Sequence, residues 1–232
     1  MRAQTPVVLQ AESSQWKELE RRTIVRIIRR LNKLYGYEKY SHNPFRTLIG
    51  VILSHQTTDK ISYPAADRLF EQAKTPKQFV ELGVKRIDTL IKNVNYHPTK
   101  AKRIVAICKM LMEKFDGKVP KTREELMELP GVGGKSADIV LSFAFKIPTI
   151  AVDTHVQAVS PRLQLTKNKD PEKIHNDLHR VIPKKYWMHV NHTFVQFGRE
   201  VCISPRPKCY MCPIEKTCPY ENKNFEKPKN KK

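Results

Sequence analysis

No apolar run in this chain approaches the roughly 20 consecutive residues that a membrane-spanning helix needs, so a bilayer-embedded protein is not expected. The first fourteen residues hold only the short run Val7-Val8-Leu9 and no signal-type apolar core, so secretion is not expected either. Alternating strand patterns are scarce and no long internal repeat occurs, which argues against sheet proteins and repeat arrays. Acidic residues are the remaining shortage. Only 23 Asp+Glu face 43 Lys+Arg in 232 residues, a net charge of +20. An excess of that size suits a polyanion, with nucleic acid the default partner. Residues 221–232 hold five lysines and two glutamates, so most of the excess belongs to the folded body.

What is present reads as helix almost throughout. Trp16, Leu19, Thr23, Ile27, Leu31 and Leu34 recur at helical spacing before Tyr35-Gly36-Tyr37. The nearly continuous apolar stretch from Phe45 to Leu53 predicts a buried central helix. Thr75-Pro76-Lys77-Gln78 combines an N-cap, a proline at the first helical position and the Gln of a capping box, and Thr122 repeats that logic. Thr99 is expected to cap a helix carrying Ile104, Ile107, Cys108, Leu111 and Phe115, and Asp170-Pro171 to open another with Ile174, Leu178 and Val181 on one face. An all-α protein follows. The Lys/Asn-rich stretch from 221 to 232 is expected to be a disordered basic tail.

Two compact signals carry the chemistry. The first is Leu129-Pro-Gly131-Val132-Gly133-Gly134-Lys135-Ser-Ala, a turn too glycine-rich to continue a helix. It can leave backbone N–H groups at the next helix start pointing outward, where a phosphate binds without side-chain help. A plain helix connector is the competing reading. Lys135 falls in the first turn of a helix expected over 136–145, where the dipole disfavours an ammonium; partial burial would add to that and supply a neutral, nucleophilic amine. An ordinary surface lysine is the alternative. Eighteen residues on, an apolar run delivers Asp153 to a helix start, where it caps the helix and stays ionised.

The second signal is Cys202, Cys209, Cys212 and Cys218, spaced C-x6-C-x2-C-x5-C. In a reducing compartment, clustered thiols serve metals more than disulfides. Spacing alone leaves Zn2+ and a [4Fe-4S] cluster both open. Cys108, on the inner face of its helix, is expected to be a buried core thiol. His155 is expected to make a structural hydrogen bond, and His175, His179, His189 and His192 to be helix-face residues rather than a metal site.

Leu53-Ser-His-Gln56-Thr-Thr-Asp59, the hairpin with Lys135, Val152-Asp153-Thr-His155-Val156 and the four cysteines stand in one order that resembles the endonuclease III branch of the helix–hairpin–helix DNA glycosylases. The resemblance covers about Leu31 to Tyr220. It implies a six-helix lobe over 38–148 that carries the hairpin, and a second lobe built from 1–37 and 149–220. Cys202, Cys209, Cys212 and Cys218 would hold a [4Fe-4S] cluster there, ordering the basic loop with Arg206 and Lys208 against phosphate. Duplex DNA carrying a damaged base or an abasic site would lie between the lobes with the base flipped out. Lys135 would attack the sugar C1′ and form a Schiff base, and Asp153 would stabilise the cationic sugar. Gln56 would enter the gap, Tyr96 would wedge into the base stack, and Gly131, Val132, Gly133 and Gly134 would grip the backbone. The implied activity is a bifunctional glycosylase/AP lyase for oxidised or ring-saturated pyrimidines, acting as a monomer, cytoplasmic and nucleoid-associated, or nuclear in a eukaryote. The departures are Asn95-Tyr96-His97, His55, Gly134 and Ala158, which bear on the substrate. Lys135 argues against a monofunctional U/T–G mismatch enzyme and against an adenine-removing relative. A non-catalytic iron–sulfur DNA-binding module would make Lys135 and Asp153 coincidental.

Overall fold

The computed structural model describes residues 8–36 and 43–227, with side chains from residue 22 onward. Every regular element among the described residues is helical. Ten α-helices follow in chain order: α1 Val8–Tyr35, α2 Pro44–Ser54, α3 Asp59–Gln72, α4 Pro76–Leu90, α5 His97–Lys114, α6 Arg123–Glu128, α7 Gly134–Ala144, α8 Thr154–Arg162, α9 Pro171–Val181 and α10 Trp187–Glu200. None is long and apolar enough to cross a membrane. The chain divides into two compact units, Lys39–Ala151 and the pair Met1–Glu38 with Val152–Lys232.

In the first unit α2 is the axis. Its Phe45, Leu48, Ile49, Val51, Ile52 and Leu53 are all buried, which is what the apolar run predicts for a helix covered on every side. Asn43 caps it through the Arg46 amide at 2.9 Å, with Pro44 at the first position. Phe45, Phe70 and Phe79 meet in edge-on and tilted contacts 5.1–5.6 Å apart, joining α2, α3 and α4. Thr75 and Gln78 form the full reciprocal capping box. The start of α5 differs from expectation. Thr99 lies inside the helix, because Pro98 fits a first turn that needs no N–H from it, and the N-cap moves back to Tyr96. Cys108 is fully buried, and burial pushes its thiol up to about 12.

In the second unit α10 packs against both α1 and α8. Ile27, Ile28 and Leu31 of α1 are buried, whereas Leu34 is 56% exposed, so the apolar stripe shifts by one position at its end. The side chains of Trp16 and Leu19 lie outside the described residues. Asp170 caps α9 through the Lys173 amide at 3.0 Å, burying Ile174 and Leu178 while Val181 stays half-buried. The backbone remains tied down beyond Tyr220, where the tail was expected to begin. The Cys209 amide donates to the Asn224 carbonyl at 2.9 Å, and Lys223 donates to Glu215. The rest of that expected tail, 228–232, lies outside the described residues.

Candidate nucleic-acid interface and cysteine centre

Between α6 and α7 the chain turns in five residues. Leu129 and Val132 are buried and pin the turn, with the Val132 amide donating to the Leu129 carbonyl at 3.0 Å. Gly131 adopts φ +75°, a conformation costly for any residue with a Cβ. A Cβ there would also lie 2.2 Å from Nε of Arg103, so the Arg103 side chain rests directly on this glycine. Gly133 is different. It is exposed and extended, and a Cβ on it would meet nothing within 4 Å. Protein packing does not explain a glycine there; bare backbone at a helix start is what an approaching phosphate uses. Gly134 is buried.

The helix begins at Gly134, two residues earlier than expected, placing Lys135 at its second position. Lys135 is exposed, and the expected partial burial is not found. The reason is phase: Gly134, Ser136 and Ala137 are buried, and Lys135 lies on the outer side of that turn.

Three segments meet around this helix start. His55, just past α2, places Nε2 2.9 Å from the Ser136 hydroxyl. Burial, and then the charges of Lys135, Lys100 and Arg103, bring the His55 pKa down to about 4, so its ring is neutral and can accept a proton from Ser136. Gln56, the next residue, is exposed with φ +51°. Its carbonyl accepts from the Asn95 side chain at 2.5 Å, which ties it to the turn carrying Tyr96. Tyr96 is 65% exposed with φ +56°. Two non-glycine residues in left-handed backbone conformations on adjoining turns is the kind of strain that clusters at working sites. His97 pairs with Asp88, with Nδ1 2.6 Å from the carboxylate.

Two basic residues here were given no role by sequence reasoning, although Lys100 closes the Asn95–Lys100 motif. Arg103 on the glycine turn carries no motif signal. Lys100 is 3% exposed and donates to the carbonyls of Leu53 and His55 at 2.8 and 2.6 Å and to the Thr57 hydroxyl at 3.1 Å. These are orphan groups at the C-terminus of α2, where the dipole also favours a cation. Burial, helped by Arg103, lowers the Lys100 pKa to about 8.

In the other unit, Asp153 is the N-cap of α8, its Oδ1 accepting from the amides of His155 at 3.0 Å and Val156 at 2.8 Å. The His155 ring packs on Gly198, where a Cβ would lie 3.0 Å from Nδ1. Cys202, Cys209, Cys212 and Cys218 are all unpaired thiols and all line one small cavity with Leu163, Phe197, Val201 and Pro207. Among the described residues no three metal-ligating side chains are closed to coordination distance. The donor set nonetheless fits a metal centre. Burial raises the Cys202, Cys212 and Cys218 thiols, Cys212 to about 11, and mutual repulsion among the thiolates adds to it. Three such groups, sharing one cavity with Cys209, ionise together only around a cation.

Arg162, also missed, clamps the entrance to this loop. Its guanidinium donates to the carbonyls of Cys202 at 2.8 Å, Ile203 at 3.2 Å and Pro205 at 3.3 Å, and approaches Sγ of Cys202 at 3.4 Å. It also stacks on Tyr220 at 5.5 Å. Arg206 lies exposed and Lys208 half-buried just beyond the clamped segment.

A glycine hairpin between helices, with a lysine at its exit, and a four-cysteine loop on an all-α scaffold define the class of helix–hairpin–helix DNA-repair proteins. The chain belongs to the HhH-GPD superfamily of base excision DNA repair proteins, whose family model matches residues 49–184. It is 40% identical over 181 residues to endonuclease III of Treponema pallidum (strain Nichols), covering 78% of this chain and 86% of that one. It is likewise 40% identical to endonuclease III of Escherichia coli (strain K12), with the same coverage. A solved structure of a trapped endonuclease III–DNA covalent intermediate is similar at TM-score 0.79 and 36% identity, covering 86% of this chain and 96% of that one. A thermostable thymine-DNA glycosylase, at TM-score 0.79 but 21% identity over 88% of this chain and 97% of its own, shares the fold.

Proposed function

We propose that this protein is a base excision repair DNA glycosylase and AP lyase that removes oxidised or ring-saturated pyrimidines from duplex DNA. The observation that carries the reading is Lys135 exposed in the first turn of α7, directly after the glycine turn. The helix N-terminus favours the phosphates that this lysine must approach. Its amine attacks the sugar C1′ and the base leaves with the bond's electron pair. The amine then passes a proton to the ring oxygen as the C1′–O4′ bond opens, leaving an iminium that acidifies the neighbouring C2′ proton; loss of that proton breaks the C3′–O bond by β-elimination, the phosphate leaving with the electron pair. Asp153, whose side chain accepts from two amides at the start of α8, is assigned to the positive charge that develops on the sugar. Gln56 and Tyr96, on adjoining strained turns, are assigned to the space around an extruded nucleotide.

Cys202, Cys209, Cys212 and Cys218 are assigned to a [4Fe-4S] cluster, which when bound would act structurally, ordering the loop that carries Arg206 and Lys208. The protein acts in whichever compartment holds the DNA.

Borohydride trapping on abasic-site and thymine-glycol duplexes tests the reading. A covalent adduct that disappears in Lys135→Ala is expected, and equal trapping in that variant would reject it. Asp153→Asn should lower turnover far more than DNA binding.

A further inference from the structure

A wide cleft in the cysteine-bearing unit touches the cluster loop at Cys209 and Cys212 and is otherwise outside these assignments. It has a volume of about 1390 Å³ and is walled by the C-terminal half of α1 and the segment Cys209–Thr217. Along α1 it presents Arg22, Arg26, Arg29, Arg30 and Lys33, with Lys185 and Lys216 across from them. All seven side chains are exposed. Among its lining residues the one acid is Glu215, and Lys223 already engages that carboxylate at 3.0 Å. The walls are fixed to one another. Arg30 Nε donates to the Pro213 carbonyl at 2.6 Å, and Arg29 Nε to the Tyr186 hydroxyl at 2.9 Å. Two aromatic residues, Tyr210 and the 56%-exposed Phe225, also line the cleft over a floor that includes the buried Ile214.

We infer that this cleft binds a single strand of nucleic acid. At 1.5 Å per residue, Arg22 to Lys33 spans about 16 Å, so its five cations stand roughly 4 Å apart. A nucleic-acid strand carries one negative charge on every nucleotide along its whole length and so meets such a track unaided. An extended peptide would match it only if nearly every residue were acidic. The aromatic pair discriminates further, since stacking on Tyr210 or Phe225 needs bases whose faces are open, which a duplex hides. A cationic track with aromatic platforms is the general design of single-strand grooves, and a track of this length holds a few nucleotides. Arginine predominates along the track, as suits forked recognition of phosphate oxygens.

The test is fluorescence anisotropy of a labelled thymidine dodecamer with the full-length, iron-loaded protein. The variants are Arg26→Glu/Lys33→Glu and, separately, Phe225→Ala. The charge variant should lose at least tenfold in affinity, and replacing the two cations by alanine should flatten the salt slope by about 1.4, at ~0.7 per phosphate contact on a single strand. Phe225→Ala should lose about fivefold or more, as for one stacked base. Cleavage of an abasic duplex should stay within about twofold of wild type in all of them, which separates this inference from the assignment of Lys135. Unchanged dodecamer binding in the charge variant would overturn the inference. So would stoichiometric displacement of the dodecamer by a blunt intact duplex, which would make the cleft part of the duplex path. Displacement by polyglutamate of equal charge, with no effect of Phe225→Ala, would overturn it in favour of an acidic protein segment.

Discussion

The buried ammonium of Lys100 donates to the main-chain carbonyl of His55 at 2.6 Å, and that histidine's ring meets Ser136 at the start of the hairpin's second helix. Lys100 therefore fastens the end of α2 while His55 fastens α2 to α7. Of the two lysines in this unit that chemistry could use, Lys100 has its N–H groups spent on three acceptors, and Lys135 faces solvent.

Replacing Lys100 by methionine should leave the Leu53 and His55 carbonyls without their donor. A loss of about 2–3 kcal/mol is expected, seen as a lower denaturant midpoint, with borohydride trapping retained in the protein that folds. Wild-type-like stability would contradict the capping role. Because the folded pKa is depressed to about 8, the unfolded chain holds more protons between there and the free-lysine value near 10.5. Stability should therefore rise with pH across that window in the wild type, and less so in the variant.

His55 gives the opposite end of the pH profile. Its folded pKa of about 4 lies below the ordinary 6.5, so the unfolded state binds the extra proton in between. Stability should fall as pH drops from about 6.5 to 4. His55→Gln should flatten that limb of a denaturation series, and NMR titration of the His55 ring should show no protonation near neutrality. A ring titrating at 6.5 would contradict the charge environment described.

The two turn glycines should respond differently to alanine. Gly133→Ala meets no neighbour and keeps an allowed backbone, so stability should hold or rise by about 0.4–1 kcal/mol. Duplex affinity should nonetheless fall about tenfold, the worth of one charge-assisted hydrogen bond blocked by the methyl. Gly131→Ala must displace Arg103 and hold a positive φ, costing about 1–2 kcal/mol or more in stability. Equal effects of the two substitutions in a thermal melt paired with duplex titration would contradict the assignment of Gly133 to an outside ligand.

Arg162→Met removes the donors that hold the Cys202–Pro205 segment. Amide exchange across 202–208 should accelerate, and iron should be lost more readily to a chelator. Stripping iron from the wild-type protein should loosen the same segment. Exchange rates unchanged in Arg162→Met would mean that the cysteines alone shape the loop.

Sequence alone carried the helices, because their signals are local: the apolar phase of α2, the capping box at Thr75 and the Asp170-Pro171 start each depend on residues within one or two turns. It also carried the order of motifs that marks the family, since a glycine turn or a cysteine spacing survives without knowledge of its surroundings. What tertiary structure decided was contact at long sequence separation. Arg103 lies 28 positions from the glycine it covers, Lys100 lies 45 from the carbonyl it caps, and Arg162 lies 40 from the loop it clamps. A long basic side chain looks alike whether it meets solvent, phosphate or a carbonyl. Only packing brings the acceptors and the desolvation that tell those fates apart.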